Sequence, residues 1–190
     1  MKRLKDIVQI RAGHPFRRRI EETPQGAVRV IQMKDVSPGQ GVLWDGLVAT
    51  DSPGRKTPDW LEPGDILFTA RGHNNYALVL DEIPFPTVLS PHFFHLTARH
   101  SGVLPAFIAW QINQEPAQQY LRKSAEGSDV PSIRRQVLED LPMAVPPLGQ
   151  QEAALRFDQA WRREQQVMAD LVENRRQMMA GIARQLLRGN

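Results

Sequence analysis

Three stretches of the chain carry side chains suited to gripping a polyanion. Arg17, Arg18 and Arg19 set three guanidiniums side by side in a polar segment between Gly13 and Gln25. A guanidinium is a planar fork of donors that holds a phosphate through two oxygens at once. Arg71-Gly72-His73-Asn74-Asn75 follows the apolar run Ile66–Thr69, so Arg71, Asn74 and Asn75 stand at a strand end. Arginine matches the acceptor pair of guanine in a major groove, and an asparagine amide matches adenine. The third stretch runs from Lys123-Ser124 to Ser132-Ile133-Arg134-Arg135, ahead of a short apolar helix. Backbone N–H groups at that helix start, with Ser132 and Arg134, can hold a phosphate. Each stretch also has a plainer reading: a solvated charge run, an Asn-rich turn and a simple helix cap.

Charge placement favours the first reading without deciding it. The formal net charge is only +3, yet the first 35 residues hold nine Lys or Arg, Lys34 among them, against four Asp or Glu. The stretch from there to His95 is net acidic. A polarised chain of modest net charge suits a protein that offers one face to a polyanion.

Catalytic constellations are hard to find. There is no Gly-x-x-x-x-Gly-Lys phosphate loop and no Gly-x-Gly-x-x-Gly turn. An adenine methyltransferase would carry an Asn/Asp-Pro-Pro-aromatic loop, but the Pro-Pro here sits in Val145-Pro146-Pro147-Leu148. A metal-dependent nuclease would follow Pro-Asp with Asp/Glu-x-Lys; Pro58-Asp59 is followed by Glu62-Pro63-Gly64, which lacks the lysine. His92 and His95, if on one strand, point to opposite faces and chelate one ion poorly. The absence of cysteine excludes disulfides, thiolate catalysis and Cys-ligated zinc, and fits a reducing cytoplasm. With no run of 18 apolar residues and no charged-then-apolar leader, the chain is expected to be cytoplasmic, with no metal and no cofactor of its own. Binding is favoured over catalysis by elimination.

The elements that must position these loops are short. Leu4, Ile7 and Val8 predict an apolar turn, and strands are expected at 27–32, 41–47, 66–69, 76–80, 87–89 and 93–97. Helices are predicted at 105–113 and 116–123, each with proline near its first turn, where a missing N–H costs nothing. Residues 1–147 are therefore expected to form an α+β domain with a small twisted sheet or partial barrel. Pro142 to Pro147, with three prolines, predicts a stiff extended boundary. Beyond it, residues 148–190 are dominated by one helix, 150–188, free of proline and broken only by Gly181. At ~1.5 Å per residue that rod is on the order of 55–60 Å long. A domain of this size is roughly 30–35 Å across, so the helix calls for a partner.

The apolar side of the helix can be read directly. Heptad position a holds Ala154, Trp161, Met168, Arg175 and Ile182; position d holds Phe157, Glu164, Leu171, Met178 and Gln185. Seven of these ten are apolar, the pattern of a coiled-coil seam whose polar members set register. Ala154, Phe157, Trp161, Met168, Leu171, Met178 and Ile182 are the expected dimer interface. The seam itself leaves parallel and antiparallel pairing open.

In the order and spacing of its motifs the chain resembles the specificity subunits of Type I restriction–modification systems. The residues that carry the likeness are Ile31-Gln32-Met33-Lys34-Asp35, Leu61-Glu62-Pro63-Gly64-Asp65-Ile66-Leu67-Phe68-Thr69-Ala70-Arg71-Gly72, Gly127 to Ile133, and Val137 to Gln151. In the last of these, a Leu-x-x-Leu-x-x-x-x-Pro-Pro-x-x-x-Gln pattern leads into a long helix. The resemblance implies a non-catalytic subunit that reads double-stranded DNA. Residues 1–147 would be a target recognition domain and 148–190 a spacer helix. It also implies partner methyltransferase subunits that use S-adenosylmethionine, and restriction subunits that use ATP. Arg17, Arg18, Arg19, Lys34, Arg71, Asn74, Asn75, Lys123, Ser132, Arg134 and Arg135 are the expected DNA contacts; the Pro63-Gly64-Asp65 turn is expected to be structural. Such subunits usually hold two recognition domains and two spacers, and this chain has one of each. It resembles a half subunit that pairs with a second copy through an antiparallel coiled coil, or with a separately encoded half. The alternatives are a domain that methylates or cuts DNA itself, and a coiled-coil scaffold that never touches DNA.

Overall fold

The computed structural model describes residues 1–16, 20–51, 58–127 and 129–188. In chain order, β1 (Lys2–Arg3) leads into α1 (Leu4–Ile7) and β2 (Val8–Ala12). Next come β3 (Val28–Ile31), β4 (Val36–Ser37), β5 (Gly41–Val42) and β6 (Val48–Thr50), with tight single-turn helices at Met33–Asp35 and Trp44–Gly46. Then follow β7 (Ile66–Thr69), β8 (Ala77–Val79), β9 (Thr87–Leu89) and β10 (Phe93–Ala98). The remainder is α2 (Pro105–Ile112), α3 (Glu115–Ser124), α4 (Arg135–Glu139), β11 (Pro142–Met143) and α5 (Leu148–Arg188). The chain is thus α+β, with small open sheets and no closed barrel among the described residues, and then one long helix.

The main sheet is antiparallel in the order β2-β10-β7-β8. All four residues of β7 are buried, which is why Ile66–Thr69 reads as a near-continuous apolar run. A second sheet, β6-β3-β9, pairs β3 antiparallel to β6 and parallel to β9. Gly13 joins the two. Its N–H donates to the Phe93 carbonyl and the next one, from His14, to the Leu89 carbonyl. A Cβ at Gly13 would lie 2.0 Å from the Ser90 carbonyl oxygen, so only glycine lets β2 end there. Ile31, Leu61, Leu67, Leu80, Leu89 and Phe93 form the core beneath, and Val28, Val30 and Val88 form a smaller cluster with Phe16 and Ile20.

Several local expectations change. Leu4–Val8 is not a turn but a one-turn helix followed by β2, whose alternating burial of Val8 and Ile10 is an ordinary strand pattern. The single strand expected at 41–47 breaks after Val42: Gly46 and Leu47 donate back to Leu43 and Trp44 to close a tight turn, and a separate strand starts at Val48. Pro142–Met143 is no free linker. It pairs with β1, and Met143 is fully buried.

By compactness the chain divides into Met1–Gln151 and Glu152–Asn190. The first unit takes in the opening turn of α5 because Gln151 is buried there. Its Oε1 accepts from Leu104 N–H at 2.9 Å, and its Nε2 donates to the Gly102 and Pro146 carbonyls at 2.9 and 2.7 Å. The rest of α5 is exposed, including Phe157, Trp161, Met168, Leu171, Met178 and Ile182, with Ala154 half-buried. Its polar positions are linked one turn apart, as in Arg162–Asp158 at 2.6 Å and Arg176–Glu173 at 2.8 Å. Among the described residues no helix is long and apolar enough to cross a membrane.

Candidate nucleic-acid interface

The loop after β7 is braced from three sides. Thr69 Oγ1 donates to the Asn74 carbonyl at 3.0 Å and accepts from Tyr76 N–H at 2.8 Å, drawing the loop closed. Asn75 Nδ2 donates to the Thr69 carbonyl at 2.8 Å. Asn113, at the end of α2, clasps both backbone groups of Ala77 at 2.8 Å, standing in for a neighbouring strand at the sheet edge. Gly72 sits at φ +107°, a left-handed conformation that glycine adopts without the Cβ clash.

The same loop is stitched to the segment 126–133. Gly72 N–H donates to the Pro131 carbonyl and Ile133 N–H to the Ala70 carbonyl, each at 2.8 Å. Arg71 forms a β-bridge with Ser132, which also bridges Glu126. Two of the three cation-bearing stretches of the sequence are therefore one composite ridge. Met33 reaches it too, since its Cε lies 3.9 Å from where a Cβ on Gly72 would be. That contact brings the Met33–Asp35 turn, with Lys34, to the same neighbourhood.

The side chains on this ridge differ in availability. Arg71, His73, Asn74, Lys123 and Lys34 are exposed. Arg134 is ion-paired with Glu126 at 2.5 Å and Arg135 with Glu139 at 2.7 Å. Such exposed pairs stabilise by at most about 1 kcal/mol, so a phosphate can displace the carboxylate. Asn75 and Ser132 are less free. The Asn75 amide already braces the loop, and the Ser132 backbone is consumed by Glu126, N–H to O at 2.8 Å and O to N–H at 3.1 Å. The phosphate nest expected at the start of α4 therefore lacks the Ser132 amide. Arg17, Arg18 and Arg19 lie outside the described residues. Lys34 also lines an open cleft of about 800 Å³ with Phe16, Gln32, Ser90 and His92, and with Glu21 and Glu22 on its rim.

Sequence reasoning missed Asn113 and Thr69, whose roles are set by partners 36 and 5–7 positions away. It also missed Glu126 as the counter-ion of Arg134; the alternating signs around Gly127 were the available signal. His95, weighed and discarded as a metal ligand, is buried with its Nε2 2.7 Å from Asp65 Oδ2. No group of three or more potential ligands stands together among the described residues.

This architecture defines a class: a small α+β domain of open sheets with a polar loop ridge, continued by one long helix. A solved structure of that class is similar, the crystal structure of a Type I restriction–modification system S subunit from M. genitalium. The likeness has a TM-score of 0.55 at 15% identity and covers 93% of this chain and 42% of that one. The chain thus spans less than half the length of the protein it matches. No family model matches the chain, and no curated protein matches it.

Proposed function

We propose that the chain is a non-catalytic DNA-recognition half subunit of a Type I restriction–modification system. The observation that carries the reading is the composite ridge, which places the exposed Arg71 and Asn74 beside the Arg134–Arg135 cations. The fold likeness to an S subunit over nearly the whole chain supports it. In this reading Arg71 and Asn74 read base edges, with Asn75 holding their loop. Lys34, Lys123, Arg134, Arg135 and the arginines at 17–19 meet phosphates. Residues 1–147 are the recognition domain and 148–190 the spacer. A second copy pairs along α5, and methyltransferase and restriction subunits, carrying S-adenosylmethionine and ATP, assemble on the dimer. The chain itself takes no cofactor.

Duplex binding across a salt series tests this. Arg134→Ala with Arg135→Ala should weaken binding to every sequence and make log K against log salt shallower by about 1–2. Asn74→Ala should instead relax discrimination at one base position, by about 1–3 kcal/mol. An unaltered affinity and salt slope in both variants would overturn the assignment. So would methyl transfer or Mg²⁺-dependent cleavage by the chain alone.

A further inference from the structure

Trp60 and Phe85 are the two exposed aromatic side chains of the 1–151 unit among its described residues, at 38% and 41% exposure. They stand on neighbouring segments. Leu61 N–H donates to the Thr87 carbonyl at 3.1 Å and Gly64 N–H to the Leu80 carbonyl at 2.8 Å, so 60–64 and 80–87 lie side by side. Pro84 and Pro86 are exposed on either side of Phe85. The Arg29 guanidinium, tethered to the Gly26 carbonyl, lies 5.2 Å from the Phe85 ring centroid. A ring held in place and flanked by prolines loses little freedom when something covers it.

The charges around this patch have one sign in excess. Asp59, Glu62, Asp81 and Glu82 are exposed on the same stretches. Among described cations, Arg29 is committed to Phe85 and Arg11 sits 3.4 Å from Asp59. A phosphate backbone, with a negative charge every ~1.7 Å of helix axis, is repelled by such a surface. We infer that the Trp60–Phe85 patch is a protein-docking surface for a basic segment, one that presents lysine or arginine side chains around a single apolar residue. The aromatics supply the desolvated anchor, and the carboxylate rim selects cationic partners and speeds their approach. The surface is separate from the DNA-reading ridge and stands or falls independently of it.

The test uses the full chain labelled with fluorotryptophan, the Trp60 resonance being assigned with Trp60→Phe. The probe is a short synthetic peptide of lysines flanking a central leucine, with a glutamate counterpart and a duplex DNA as comparisons. The lysine peptide should shift the Trp60 signal saturably while leaving Trp44, Trp110 and Trp161 unmoved. Asp81→Lys with Glu82→Lys should weaken that binding about tenfold or more, and Asp81→Asn with Glu82→Gln by less, with duplex affinity retained in both. The inference is overturned if Trp60 does not move, if all four tryptophans move together, or if the glutamate peptide or the duplex moves Trp60 equally. Charge-reversed chain that binds the peptide undiminished would overturn it as well.

Discussion

Asp65 ties three segments together through one carboxylate. Its Oδ2 accepts from Glu62 N–H at 2.8 Å and lies 2.7 Å from His95 Nε2, while Oδ1 accepts the Thr97 hydroxyl at 2.9 Å. Burial pushes this carboxyl up, but the His95 hydrogen bond, the Glu62 amide, the His95 charge and the Thr97 hydroxyl together outweigh it and hold Asp65 below its usual range. A depressed folded value contributes stability that is present above the unfolded value of about 3.9 and lost as pH falls through the folded one. The urea midpoint should therefore decline on acidification below about pH 4. Asp65→Asn should lower stability by about 1–3 kcal/mol at neutrality and show a flatter acid limb. Parallel acid limbs for the two proteins would argue against this role. Asp65 belongs to the Pro63-Gly64-Asp65 turn read from the sequence as structural, and Gly64 at φ +91° is the turn that delivers it. Asn75 makes the opposite point. Its residue type suits a base edge, but whether an amide faces solvent or folds back on Thr69 depends on a partner six positions away.

At the scale of elements, the entry to α5 shows what the Pro-Pro-x-x-x-Gln pattern does. Pro147 supplies the carbonyl that accepts from Gln150 and Gln151, and Gln151 turns its amide inward to satisfy Leu104, Gly102 and Pro146. Removing that amide strands a buried N–H and two carbonyls. Gln151→Ala should cost about 1–3 kcal/mol in chemical denaturation, and Gln151→Glu more, because its carboxylate would face two carbonyl oxygens. A loss below about 0.5 kcal/mol would show that water replaces the side chain. The helix itself was legible, since 41 residues without proline and rich in helix formers leave the backbone few alternatives. Its start at Leu148, two residues before the expected Gln150, was not. Gly149 reads as a breaker until the packing of Gln151 requires the turn.

At the scale of the molecule, eleven large apolar side chains of α5 beyond Gln151 are exposed in the single chain. Covering a side chain of this kind stabilises by about 1.5–3 kcal/mol, so an unpaired stripe of this length is unfavourable in water. Under the proposed reading the cover is a second copy. Light scattering at micromolar concentration should find dimers, and Met168→Asp with Leu171→Asp should leave single chains. A symmetric dimer should also mark a split palindrome, with spacing set by a helix of roughly 60 Å, visible in the host methylome with and without the protein. Single chains from the unaltered protein, or an unsplit site, would end that reading.

The sequence by itself determined the pieces whose physics is local. These are the long helix, the buried run of β7, the proline-led α2 and α3, and the cationic character of the loops, each written in breakers and periodicity within a few residues. Only the tertiary structure decided which polar groups remain available. The order β2-β10-β7-β8 pairs strands far apart in the chain, and the bonds from Gly72 to Pro131 and from Ala77 to Asn113 join segments that no local pattern relates. A side chain's type says what it can bind, but its remaining free donors depend on neighbours that folding alone brings near.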